Sequence, residues 1–157
     1  MTYRPIALAL VTAVAAAALL VPTVSGAPGR VVTLRFFDKP VSIKLTHADG
    51  TVVAKAPYPE AKPGDTLDIS SLDYVGDHAK HAARWTGSTH LRCVFKAGPP
   101  TCESHVALGD SMLVFTGSPG TLTLGTGIYT GATGKVISSK EVANNASDVV
   151  AKIQLHG

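Results

Sequence analysis

Two histidines near the middle of the chain are spaced so that they could share a metal ion. His78 and His81 stand three residues apart in the segment Asp77-His78-Ala79-Lys80-His81. On a helical turn, residues at that spacing lie on one face, and imidazoles are common zinc ligands. The segment is short and polar, and it includes Lys80. It is therefore interpreted as a solvated hairpin tip, and no metal site is predicted.

The two cysteines, Cys93 and Cys102, are the next candidates for chemistry. In an exported chain, which the N-terminal segment indicates, an oxidising compartment favours a disulfide between them. A metal pair would need further Cys or well-placed His residues, and two free thiols would be unusual outside the cell. We therefore predict a disulfide that joins two neighbouring antiparallel strands.

A disulfide across a hairpin fixes which residues of its two strands face each other. It places Arg92 opposite Glu103. Two residues further along, it places His90 opposite His105. Two imidazoles beside a carboxylate could bind a metal or move protons. Because the other face of the hairpin is apolar, we expect this polar face to point to solvent, with Arg92 and Glu103 forming a cross-strand ion pair.

Two aspartates in one predicted strand suggest where polar groups enter the interior. Asp68 and Asp73 lie an odd number of residues apart, so their side chains project from opposite faces of the strand. They cannot act together as an acid and a base, but one of them must point inward. Asp73, Tyr74 and Arg84 lie near the following hairpin, where a barrel would admit a ligand. These three are candidate ligand-binding residues.

Motifs for nucleophilic catalysis and cofactor binding are missing from the sequence. There is no G-x-S-x-G elbow. Gly125-Thr126-Gly127 is followed by further glycines but is not expected to open a helix, so it fails the condition for pyrophosphate binding. Lys and Arg are scattered, whereas nucleic-acid binding needs a basic stripe. The sequence thus predicts no cofactor, no metal and no nucleic-acid partner.

The first 27 residues differ in kind from the rest. Arg4 precedes an uncharged run from Ile6 to Val21, and the small residues Ser25-Gly26-Ala27 follow it. This is the pattern of a signal peptide cleaved after Ala27. The alternative is an uncleaved anchor, but a spanning helix needs about 20 apolar residues and this run is shorter. We expect a secreted or periplasmic protein, without a membrane span after cleavage, whose single domain covers residues 28–157.

After the signal segment, β-branched residues, Gly and Pro recur at short intervals, and no segment shows helical spacing of apolar residues over three turns. Many short strands are therefore predicted. They are placed at 31–37, 41–45, 51–54, 66–74, 86–95, 101–108, 111–116, 121–124, 135–139 and 148–155. Their alternating faces require a second sheet or closure into a barrel. Periodicity leaves both architectures open.

The glycine-rich segment GTGIYTGATGKV, from Gly125 to Val136, resembles a signature near the end of allene oxide cyclase and dirigent-like proteins. Segments 63–70 and 73–77 resemble the bacterial secreted relatives of that family, and the likeness extends from residue 63 to residue 138. The resemblance implies an all-β, eight-stranded antiparallel barrel of the calycin type. Glycines permit sharp bends, so Tyr129 is expected to plug a barrel corner, and it is the fourth candidate ligand-binding residue.

The resemblance also implies a function, because barrels of this family surround a lumen that takes up a small, mainly apolar molecule. If the protein is an enzyme, it would be a cofactor-free cyclase or stereo-directing protein that holds a reactive substrate in one conformer. A non-catalytic carrier would use the same barrel. The competing interpretation is a structural or interaction module with an interior filled by side chains. The residues expected to line the interior are Leu67, Ile69, Leu91, Phe95, Met112 and Tyr129.

Overall fold

The computed structural model describes residues 29–156, so the predicted signal peptide, residues 1–27, lies outside the described residues. The described chain forms nine strands. They are β1 (Val31–Thr46), β2 (Val52–Val53), β3 (Thr66–Val75), β4 (Gly87–Val94), β5 (Thr101–Leu108), β6 (Ser111–Thr116), β7 (Thr121–Gly125), β8 (Thr133–Glu141) and β9 (Ser147–Gln154).

Eight of these strands close into one antiparallel barrel. From β3 to β9 each strand pairs with the next along the chain, and β1 pairs with both β3 and β9. The two-residue β2 extends the edge of β1. Closure removes the unpaired edges that a flat sheet would expose. The all-β, eight-stranded barrel is therefore confirmed.

The first long strand differs from its prediction. Two strands were expected at 31–37 and 41–45, but the structure has one strand of 16 residues. The register with β3 shifts between Pro40 and Ser42, and the extra residue, Val41, is exposed. A bulge tolerates proline because no ladder hydrogen bond is lost there. Continuity through the bulge lets β1 contact both β3 and β9, which closes the barrel.

The disulfide between Cys93 and Cys102 is confirmed, and it joins β4 to β5. The register follows the prediction, with His90 opposite His105 and Arg92 opposite Glu103. The expected ion pair is wrong, since the ion pairs of residues 29–156 do not include one between Arg92 and Glu103. Glu103 instead contacts its neighbour on the same strand, His105, at 2.6 Å between Oε1 and Nε2. Residues two apart share a strand face, so the contact of Glu103 with His105 along the strand competes with a contact to Arg92 across the hairpin.

Replacing both cysteines with Ser should lower the free energy of unfolding by roughly 2.5–3 kcal/mol. The bond closes a loop with a sequence separation of 9, and opening it returns conformational entropy to the unfolded chain. Urea unfolding of the oxidised protein and the double variant measures the difference. The reduced wild-type protein is the matched control and should behave like the variant. A loss below about 0.5 kcal/mol would contradict the entropic account.

The interior of the barrel is filled at one end and open at the other. The closed end carries the β3–β4, β5–β6 and β7–β8 connections, and Leu34, Leu113, Tyr129 and Ile153 pack together there. Tyr129 is buried in this cluster beside Gly125, where a Cβ would lie 2.1 Å from the Tyr129 carbonyl oxygen. The open end carries the β4–β5, β6–β7 and β8–β9 connections.

One residue expected inside lies elsewhere. Met112 precedes Leu113, which is fully buried in the core cluster. Successive side chains of a strand point to opposite faces, so β6 directs Leu113 and Phe115 inward and Met112 outward. The expectation that Met112 lines the lumen is therefore wrong.

Candidate functional site

A cavity of about 500 Å³ occupies the open half of the barrel. Its walls are mostly apolar. They include Phe36, Ile69, Leu91, Val106, Phe115 and Val149. Ser118, Pro119 and Asn145 line it where the β6–β7 and β8–β9 connections cross the open end. Ligand sites in proteins typically have volumes of roughly 300–1,000 Å³, so this cavity can hold a small organic molecule.

A second cavity of about 330 Å³ adjoins the first and shares Ile69, Asn145 and Ser147 with it. It lies between the barrel wall and the segment that connects β2 to β3, which contributes Tyr58, Pro59 and Ala61. The Tyr58 hydroxyl donates a hydrogen bond of 3.4 Å to the Ile43 carbonyl oxygen. We call the first cavity the inner chamber and the second the outer chamber.

Two carboxyl groups line the inner chamber, and neither stands near a basic side chain in its lining. Asp73 on β3 is only 1% exposed. Asp38 on β1 is its direct cross-strand partner. Alternation along β3 directs Ile69, Ser71 and Asp73 inward, and it leaves Asp68 on the outer face, where its Oδ1 lies 3.7 Å from Nε2 of His90. We call Asp38 and Asp73 the carboxyl pair.

The hydrogen bonding of Asp73 is incomplete. Thr89 on β4 donates its Oγ1 hydroxyl to Asp73 Oδ2 at 2.8 Å. Asp73 Oδ1 is buried and has no hydrogen-bond partner among the described residues. Only glycine fits opposite Asp73 on β4, because a Cβ at Gly87 would lie 2.7 Å from the Ala107 carbonyl oxygen. A buried acceptor without a donor is costly, so the site is poised to receive a proton or a ligand.

The pKa of Asp73 is raised to about 7, chiefly by burial. The Thr89 hydrogen bond opposes this rise, whereas the charge of Asp38 and a hydrogen bond with it contribute to the rise. Burial also raises the pKa of Asp38, and hydrogen bonds with Ser71 and Asp73 oppose that rise. Two carboxylates so close together cannot both ionise freely, so the pair titrates as a unit that holds a proton.

A carboxylic acid that remains protonated near neutral pH can act as a general acid. Apart from the carboxyl pair, the polar groups that line the inner chamber are hydroxyls, amides and backbone atoms, none of which is basic enough to take this proton. After donating the proton, the same carboxylate can accept one from another part of a bound molecule. The geometry therefore suits proton transfer to and from a small substrate.

The structure does not bring the four candidate ligand-binding residues together. Asp73 lines the inner chamber. Tyr74 lies on the outer face, with its ring centroid 6.2 Å from that of Phe37 and 5.2 Å from that of His81. Arg84 is exposed in the β3–β4 connection, and Tyr129 is buried in the core of the closed end. A binding role for these last three residues stays a prediction.

The two histidines of the β3–β4 connection have separate partners. His78 Nδ1 lies 2.5 Å from Asp148 Oδ2, and the His81 ring packs against Phe37 with 4.9 Å between centroids. Within residues 29–156, no group of three or more His, Cys, Asp or Glu side chains is arranged to hold a metal ion.

Sequence analysis missed Asp38, although a signal for it exists. Leu34, Phe36 and Asp38 stand at alternate positions of one strand, so a carboxyl group follows two core residues on the same face. A charged residue in phase with buried apolar residues indicates a functional group. The strand predicted at 31–37 ends one residue before Asp38, so this pattern was not recognised.

Comparison with known proteins gives a likeness of fold. No family model matches the chain, and no curated protein matches it. Among solved structures, pyocyanin demethylase superposes with a TM-score of 0.59 at 17% identity, over 78% of this chain and 99% of that one. The pterocarpan synthase dirigent protein GePTS1 superposes with a TM-score of 0.54 at 15% identity, over 87% of this chain and 97% of that one. The chain has the fold of the dirigent-like barrels.

The dirigent-like barrel thus confirms the resemblance that the glycine-rich segment indicated. Both similar structures are named for reactions of small molecules, a demethylation of pyocyanin and the synthesis of a pterocarpan. At such low identity the likeness establishes the fold alone. In the part of the chain that the structure describes, no helix is long and apolar enough to cross a membrane.

Proposed function

We propose that this dirigent-like barrel is an exported, cofactor-free protein that binds a small, mainly apolar molecule and transfers a proton to it. The observation that carries the proposal is the carboxyl pair in an open apolar cavity of about 500 Å³. Its buried member, Asp73, has a pKa of about 7 and an acceptor atom without a partner. A barrel that served only as structure would have no need for a buried, incompletely bonded carboxyl group.

Export is part of the proposal. The disulfide between Cys93 and Cys102 is of a kind that persists in oxidising compartments. The signal-peptide pattern of residues 1–27 indicates the same destination. We therefore place the mature protein in the periplasm or outside the cell.

The reaction that suits the site is a proton-assisted cyclisation of a reactive, neutral substrate. Asp73 donates its proton to an oxygen of the substrate, which makes a carbon conjugated to that oxygen electrophilic. A hydroxyl oxygen of the same molecule bonds to that carbon while the π bond at this carbon breaks and its electron pair shifts toward the protonated oxygen. The hydroxyl proton passes to the carboxylate and restores the acid. The chamber wall contributes by holding the two ends of the molecule within reach. Substrate and product are isomers, so no cofactor is consumed.

Occupation of the inner chamber is tested with N-phenyl-1-naphthylamine, a neutral apolar dye that fluoresces when it leaves water. Leu91 lines the chamber, so Leu91→Trp should fill it and weaken dye binding at least about tenfold, equivalent to about 1.4 kcal/mol. Leu124 is 50% exposed on the outside of the barrel. Leu124→Trp is therefore the matched control, and it should bind the dye as the wild type does. Fluorescence titration gives the three dissociation constants.

Each alternative outcome of this titration contradicts the proposal. Equal binding by the wild type and Leu91→Trp would show that the dye binds elsewhere. Absence of binding to the wild type would show that the chamber does not accept apolar molecules. Circular dichroism of the variants confirms that both retain the β structure of the wild type.

A further inference from the structure

The ionisable side chains in the two chambers carry one sign of charge. The inner chamber is lined by Asp38 and Asp73, and the outer chamber by Glu141. Of residues 29–156, no Lys, Arg or His lines either chamber. The whole chain nevertheless has a formal net charge of +3. The acidic lumen is therefore set apart from a basic exterior.

The Lys and Arg side chains of the barrel strands lie on the outside of the barrel. They are all exposed. Arg35, Lys39 and Lys44 belong to β1, Arg92 to β4, Lys135 and Lys140 to β8, and Lys152 to β9. Strand alternation accounts for this arrangement, because a residue next to an inward position must point outward.

An anionic ligand would meet a double penalty in such a lumen. It would lose its hydration without gaining a cationic partner, which costs several kcal/mol for a buried charge. It would also be repelled by any ionised member of the carboxyl pair. A carboxylate substrate therefore gains nothing from the inner chamber that would offset its transfer from water.

A basic ligand meets the opposite situation. An N–H group of a protonated amine can donate to Asp73 Oδ1, the buried atom that has no partner among the described residues. Hydrogen bonds between ionised groups are roughly twice as strong as neutral ones. A neutral base can also take the proton of the pair and remain as its cation beside the carboxylate, which is the first half of the proton transfer proposed above.

We propose that the lumen selects its ligand by charge, so that it binds apolar bases, either neutral or as their cations, and excludes apolar carboxylates; its substrates are the neutral bases. This inference rests on the proposed function and specifies its substrate class. The selecting groups are Asp38 and Asp73, with the open acceptor Oδ1 of Asp73 as the contact point.

The test compares three probes with one skeleton, 2-naphthylmethylamine, 2-naphthalenemethanol and 2-naphthoate, by calorimetric titration at pH 7. The wild type should bind the amine at least about tenfold more tightly than the carboxylate, with the alcohol between them. The double variant Asp38→Asn with Asp73→Asn should lose this order and bind all three within about threefold. Asp68→Asn removes a carboxyl group from the outer face of β3 and should keep the wild-type order.

The outcomes separate this inference from the proposed function. If the alcohol binds but the amine and the carboxylate bind equally, charge selection is wrong and the apolar lumen site stands. If none of the three binds, both proposals fail. If the double variant still prefers the amine, the carboxyl pair does not select the ligand. Because the basic exterior would attract the carboxylate, a preference for the amine cannot come from the overall charge of the protein.

Discussion

Replacement of Asp73 with Asn should slow a proton-assisted cyclisation in the lumen by about 10²–10⁴-fold, the usual contribution of a general acid. The probe is a neutral para-quinone methide with a tethered hydroxyl group, whose ring closure is followed by absorbance. Asn has nearly the same shape as Asp and can still accept the hydrogen bond from Thr89. It has no acidic proton to transfer, so binding should persist while the rate falls.

Two controls make this result specific. Asp68→Asn changes a carboxyl group on the outer face of the same strand, and it should leave the rate unchanged. The wild-type rate should fall as the pH rises above 7, where Asp73 loses its proton, and the remaining rate of Asp73→Asn should not show that fall. A wild type that binds the methide without accelerating its closure, or an Asp73→Asn variant as fast as the wild type, would refute proton donation by Asp73.

The second large effect concerns stability. Folding raises the pKa of Asp73 from 3.8 to about 7. Between these values the unfolded chain has released the proton and the folded protein has kept it, so the free energy of unfolding must fall as the pH rises. For this one group, the expected fall between pH 5 and pH 8 is roughly 2–3 kcal/mol. The fall in the free energy of unfolding is complete once the pH exceeds the pKa of Asp73 in the folded protein. It has not begun below the pKa of Asp73 in the unfolded chain.

Urea unfolding of the wild type and Asp73→Asn at pH 5 and pH 8, at constant ionic strength, measures this effect. The contribution of every other titrating group outside the pair is common to both proteins, so the difference between their pH dependences isolates the pair. Between pH 5 and pH 8, the free energy of unfolding of Asp73→Asn should fall less than that of the wild type. Asp68→Asn should follow the wild type. Equal pH dependences for wild type and Asp73→Asn would show that Asp73 does not hold its proton above its ordinary pKa.

The position of the carboxyl pair decides both predictions. Asp73 lies next to Gly87 and Thr89 on β4, at the level where the apolar cluster of the closed end begins. Burial there disfavours its charge, and Asp38 adds a second acid at the same level. The same burial that destabilises the ionised protein keeps a proton available near neutral pH. The proposed proton donation and the pH-dependent instability thus have one cause.

The interior combines the two packing arrangements that the sequence left open. A packed interior and an open lumen were treated as alternatives, and the barrel contains both. Leu113, Tyr129 and Ile153 fill the closed end, whereas the open half retains the inner chamber. A barrel of eight strands is just wide enough for side chains to fill it, so a cavity persists where those side chains are small, such as Ser71 and Ser104.

The sequence alone determined the features that local chemistry controls. Alternation along each strand identified the inner face of the β4–β5 hairpin, and the cysteine pair fixed its register, because a cross-strand bond permits only one pairing. The same rule required that either Asp68 or Asp73 point inward. The glycine-rich segment indicated the barrel family. These inferences need only neighbours along the chain or across one hairpin.

Only the tertiary structure decided which groups meet across the barrel. Asp38 and Asp73 are 35 positions apart in sequence, and they become partners because β1 extends beyond the predicted end at residue 37 and pairs there with β3. Tyr74 and Arg84, close to Asp73 in sequence, lie outside the lumen because alternation and the β3–β4 connection carry them away. Pairing between distant strands depends on the closure of the whole barrel, and no local pattern contains that information.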